Sequence, residues 1–193
     1  MLERKPNPVS TYRALVQDAK ASVVGPSAIE FQRRFNGFYG VRRNADWRGQ
    51  FYDLFEAART SEQTHQVLFE TVLLDLYAKT GRVEASFVSK LVATLRPEAP
   101  IIDSIVSKFM AKRLPKPVLR RAPDSAAAYY KALDEILRRM QATAEARSWS
   151  QWFDQTFPTP TGGLAIGPMK KLDFLIWAGS TNAPSPKGSS GAK

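Results

Sequence analysis

LYAKTGRVEASFVSKLVATLRPEAPIID, residues 76–103, reads as the end of one helix, a glycine turn, a second helix and the capped start of a third. Just upstream, Val67, Leu68, Val72, Leu74 and Leu76 define a helix from about Thr64 to Lys79, and Gly81 stands where a glycine C-cap belongs. The next helix begins near Glu84 and carries Phe87, Val88, Leu91, Val92 and Leu95 as far as Arg96. Together they form a tight helical hairpin. Pro97 and Pro100 bracket the following loop, after which Asp103 opens a helix through Val106, Phe109 and Met110.

The same punctuation extends in both directions. A helix from Ser10 to about Val23 ends before Gly25-Pro26, and Ser27 with Glu30 forms a capping-box pattern opening a helix that stops near Gly40. Asn44 caps a third helix, in which Trp47, Phe51, Leu54, Phe55 and Ala58 repeat at helical spacing. Beyond the hairpin, Pro115 and Pro117 break the sixth helix, and Asp124 or Ser125 caps a long seventh one from about Ala126 to Arg147. Ser148 to Phe157 forms an eighth with Trp149, Trp152 and Phe153 as apolar anchors, and Met169 to Ala178 a ninth, whose Phe174, Leu175, Ile176 and Trp177 close the core behind surface charges Lys170, Lys171 and Asp173.

Sustained apolar/polar alternation of the kind a half-buried strand needs is not found. The expected fold is therefore all-α: one compact domain of about nine helices over residues 1–179, with the hairpin at its centre and a disordered tail over 180–193.

Composition narrows the chemistry. With no cysteine and a single histidine, His65, the chain offers no disulfide, thiolate site or histidine-based metal centre, so no cofactor and no metal is expected. Met1 to Pro8 lacks the pattern of a secretory signal, and no stretch approaches the roughly 20 apolar residues of a membrane span. A soluble, cytoplasmic protein without membrane partners is expected. His65, in the first turn of the fourth helix, reads as a surface residue.

The 28 Lys and Arg exceed the 18 Asp and Glu, leaving a formal net charge of +10 that favours a polyanionic partner. The excess is uneven. Arg33, Arg34, Arg42, Arg43 and Arg48 surround only Asp46, and Lys108, Lys112, Arg113, Lys116, Arg120 and Arg121 lie in an acid-free stretch from Ser104 to Pro123. The amides opening the helix after Gly81 provide a phosphate-binding geometry.

The segment from about Leu73 to Phe109 resembles the helix-hairpin-helix DNA glycosylases of the Gly/Pro-Asp type. Their hairpin reads approximately Leu-Pro-Gly-Val-Gly-x-Lys-Thr-Ala, followed after a helix by Val-Asp-Thr-His-Val. Without a gap, Asp103 falls on the family aspartate, Ile102 and Val106 on its flanking valines, and Gly81 on the first hairpin glycine. Ser104 replaces threonine, Ile105 the frequent histidine, Val83 the second glycine and Ala85 the lysine of the lyase-active members. The position of Lys90 within its helix argues against its taking that lysine's place.

The resemblance implies a DNA-repair protein binding duplex DNA, either catalytically degenerate or a monofunctional N-glycosylase, a hydrolase without the lyase lysine. In it Asp103 would stabilise the developing sugar cation, and the target base would be turned out of the stack, with Tyr39 or Trp47 as candidate pocket walls. Gly81, Arg82, Lys108, Lys112 and Arg113 are the candidate nucleic-acid contacts. Glu70, Asp75 and Glu84 are available as second carboxylates, with no fixed geometry to Asp103. A different class fits the same charge: a non-catalytic basic helical module that binds RNA or an acidic protein.

Overall fold

The computed structural model describes residues 7–114 and 122–181, and among them every regular element is a helix. The helices are α1 (Pro8–Ala21), α2 (Ile29–Tyr39), α3 (Ala45–Arg59), α4 (His65–Thr80), α5 (Ala85–Leu95), α6 (Ser104–Met110), α7 (Pro123–Gln141), α8 (Ala144–Thr156) and α9 (Pro168–Thr181). The breaks at Pro115 and Pro117, the cations Lys116, Arg120 and Arg121, and residues 182–193 of the expected tail lie outside the described residues. None of the described helices is long and apolar enough to cross a membrane.

The α4–α5 hairpin is the centre of the molecule: α4 packs on α3, α5 and α7, and α5 packs on α1 and α3. Local chemistry fixes its ends. Thr64 Oγ1 accepts from the Val67 amide, and Gly81 takes a left-handed backbone (φ 66°, ψ 14°) in which its own N–H donates to Tyr77 O at 2.8 Å. Asn44 Oδ1 accepts from Trp47 N at 3.0 Å and caps α3 as its sequence indicates.

The core is built largely from aromatic rings. Phe35 meets Phe31, Tyr39, Phe51, Tyr52 and Phe55 at centroid distances of 4.8–6.1 Å, and Phe69 stacks on Tyr130 at 3.8 Å. A smaller cluster of Val9, Tyr12, Val16, Phe153 and Ile166 joins α1 to α8 and the loop before α9. Arg13 secures that loop by donating to Phe157 O and Leu164 O.

Several expectations are corrected. Ser27 does not cap α2: its N-cap is Ala28, with no side-chain hydrogen bond. Pro123 sits in the first turn of α7 behind an Ala122 cap, so neither Asp124 nor Ser125 caps it. The long seventh helix ends at Gln141, because Thr143 takes an extended backbone and its hydroxyl accepts from Ala146 N to start α8. Trp149 and Trp152 are about half exposed, leaving Phe153 as the anchor of α8. Residues 180 and 181 belong to α9 and not to a tail.

His65 is not a surface residue. Its Nε2 lies 3.1 Å from Oδ2 of buried Asp134, whose carboxylate also binds Arg138 Nε and Gln66 Nε2, tying α4 to α7. Lys170 and Lys171 are likewise buried, at 4% and 7% exposure, and each finds an acid: Asp173 for the first, Asp154 of α8 for the second.

Candidate nucleic-acid interface

Two places concentrate charge. The first is an open cleft of about 430 Å³ between the start of α3 and the Gly81 turn, walled by Arg42, Arg43, Asn44, Asp46, Trp47, Gln50, Lys79, Thr80 and Arg82. Four cations face one acid there. Arg42, Lys79 and Arg82 are exposed, whereas Arg43 is partly buried with its guanidinium 5.6 Å from the Trp47 ring and 5.2 Å from Phe87.

Glu84 holds Arg43 in that position, its two carboxylate oxygens accepting from Nη2 at 2.6 and 2.9 Å. Glu84 is also the N-cap residue of α5, so this helix end, expected as the phosphate seat, already carries a carboxylate. The α3 end also carries an acid, Asp46, in its first turn, while helix geometry leaves the amides of Ala45 and Asp46 without intrahelical partners. Three buried polar atoms of the wall, Arg43 Nε, Trp47 Nε1 and Gln50 Oε1, have no hydrogen-bond partner; they are half of the six such atoms among the described residues.

The candidate contacts are thus only partly brought together. Arg82 lines the cleft, and Gly81 forms the turn at its edge with its amide committed to Tyr77 O. Lys108, Lys112 and Arg113 are exposed on α6 and the turn after it and do not line this cleft. Of the arginines from 33 to 48, Arg33, Arg34 and Arg43 pair with Glu30, Asp18 and Glu84, acids outside their own stretch.

The second place surrounds Asp103. Its Oδ1 accepts from Val106 N at 2.7 Å and caps α6, and its Oδ2 accepts from the Trp177 indole N–H at 2.7 Å. Asp103 does not line the Gly81 cleft. The carboxylate that shares its electrostatic surroundings is Asp173 rather than Glu70, Asp75 or Glu84: both aspartates act on Lys90 and Lys170.

Lys90 Nζ donates to Tyr39 O at 3.3 Å and lies 5.4 Å from the Phe87 ring. Burial holds its amine below the ordinary lysine range, against the pull of Asp103 and Asp173. Lys170 Nζ contacts Asp173 Oδ2 at 2.5 Å and sits 4.7–5.6 Å from the rings of Tyr12, Phe38, Tyr39 and Phe174. Burial opposes its charge, but Asp173 and Tyr39 outweigh burial and raise its pKa. Asp173 Oδ1 is unpartnered, and its residue borders a cavity of about 10 Å³, the size of one water.

Trp47 therefore lines the basic cleft, while Tyr39 belongs to the buried lysine cluster. The lysine–aspartate cluster has no local sequence signal, because its members come from α5, the start of α6 and α9. Comparisons with family models, curated proteins and solved structures returned no match to this chain.

Proposed function

We propose that the protein binds the phosphate backbone of nucleic acid, most favourably duplex DNA, through the basic face centred on the Gly81 cleft. The observation that carries this reading is the gathering of Arg42, Lys79 and Arg82 around Asp46, with Arg43 already paired to Glu84, beside the free amides of the α3 N-terminus. Such contacts supply affinity and register, not sequence preference. Electrophoretic titration of a duplex tests it. Replacing Lys79 and Arg82 together by glutamine weakens binding at every sequence, whereas an unchanged affinity contradicts the reading.

A second reading is monofunctional base excision, in which the Asp103 carboxylate at the start of α6, close enough to act on Lys90 and Lys170, stabilises the developing sugar cation. Release of a damaged or mispaired base from a duplex, lost in Asp103→Asn, supports it; an inert wild type on a broad panel of lesions leaves binding as the function.

A further inference from the structure

We infer that the cleft between the start of α3 and the Gly81 turn is a seat for a phosphate monoester, the terminal phosphate of a nucleic-acid strand; the choice of a strand end rests on the nucleic-acid reading above. The cleft is concave and open, of about 430 Å³, within the range of small-ligand sites.

The charges match an end better than a link. An internal phosphodiester carries a single negative charge on two free oxygens; a terminal phosphate presents three oxygens and about −1.5 to −2 charges near neutrality. Arg42, Lys79 and Arg82 against Asp46, with Arg43 shared with Glu84 and the α3 amides alongside, suit the second.

The unpartnered atoms point to the same ligand independently of the helix end. Trp47 is 6% exposed, lines the cleft, and its indole N–H has no acceptor; the Nε–H of Arg43 is in the same condition. Leaving such donors buried and unpaired is unfavourable. Phosphate oxygens satisfy both. Neither atom has exposed surface, so binding requires the Arg43 guanidinium to move off the Trp47 ring while Glu84 holds its Nη2. Gln50 Oε1, an orphaned acceptor, takes a hydroxyl from the sugar or from a protonated phosphate.

The test uses the full chain and a DNA hairpin with one open end, carrying either a 5′-phosphate or a 5′-hydroxyl, with a nucleoside monophosphate as a third ligand. The wild type is expected to favour the phosphorylated end by about tenfold. Trp47→Phe, which keeps the ring, and Gln50→Met, which keeps the volume, each reduce that ratio, with thermal melts confirming that both variants are folded. Equal affinity for the two hairpins overturns the proposal, as does a ratio unchanged in both variants. If neither hairpin binds at low salt, the nucleic-acid reading fails, and the third ligand decides the site. Saturable binding of the monophosphate that is weakened by Gln50→Met then upholds a monoester seat supplied by free nucleotides; no binding rejects the seat.

Discussion

Asp103 and Trp177 are 74 residues apart, yet the indole N–H of one donates to the carboxylate of the other at 2.7 Å, so the cap of α6 is also a tie to α9. Removing the carboxylate should cost more than removing the tie. Asp103→Ala is expected to lose about 1–2 kcal/mol in chemical denaturation, the upper part of the range for an N-cap, whereas Asp103→Asn keeps an acceptor for Val106 N and loses less. Equal stability of Asp103→Ala and the wild type would refute the structural role.

The Lys170–Asp173 pair is a buried ion pair enclosed by four aromatic rings. Asp173→Ala leaves a buried ammonium without its carboxylate and should cost about 3–5 kcal/mol. Changing both residues together, Lys170→Met with Asp173→Leu, is expected to cost distinctly less than that single change, because no charge is stranded. Denaturant titration of the single and double variants measures the difference.

Lys90 makes stability depend on pH in a defined direction. Its folded-state pKa lies below the 10.5 of an ordinary lysine, so between the two values the unfolded chain binds more protons, and the Lys90 contribution to stability rises with pH. That contribution is lost as pH falls through the depressed value. The stability of the wild type relative to Lys90→Met should therefore increase as pH climbs towards 10.5, in the presence of the unaltered Asp103, Asp173 and Lys170 that face the amine. Buried phenols act oppositely above pH 10, where Tyr12 and Tyr39 hold their protons and stability falls. A difference between wild type and variant that does not change with pH would show that Lys90 is solvated.

The Gly81 turn allows a simpler test. A Cβ at Gly81 would meet nothing within 4 Å, so Gly81→Ala is resisted by backbone strain at φ 66° and not by crowding. It should cost about 1–2 kcal/mol in thermal or chemical unfolding.

Features held by neighbouring residues were legible in the sequence. Gly81, Asn44 and Asp103 act as caps because each hydrogen bond closes within four residues. The all-helical class and the central hairpin follow from the same local signals. The place of the α7–α8 break was not legible: the sequence puts it between Arg147 and Ser148, whereas Thr143 makes it earlier, inside a stretch of good helix formers with no glycine or proline to mark it. Nor were the buried lysines. Lys171 has its partners Ser150 and Asp154 on another helix, and His65 meets Asp134 69 residues away, so their burial depends on the assembled packing. The cleft was half visible, as an arginine-rich run and a glycine turn whose juxtaposition needed α3 to pack on α4.

Binding of a duplex across a salt series measures the phosphate contacts themselves. The logarithm of the association constant should fall linearly with the logarithm of salt, by about 0.9 per phosphate neutralised, and Arg82→Gln should shallow this slope by about one unit. Absence of binding at low salt, or a slope indifferent to the loss of Arg82, would overturn the nucleic-acid reading.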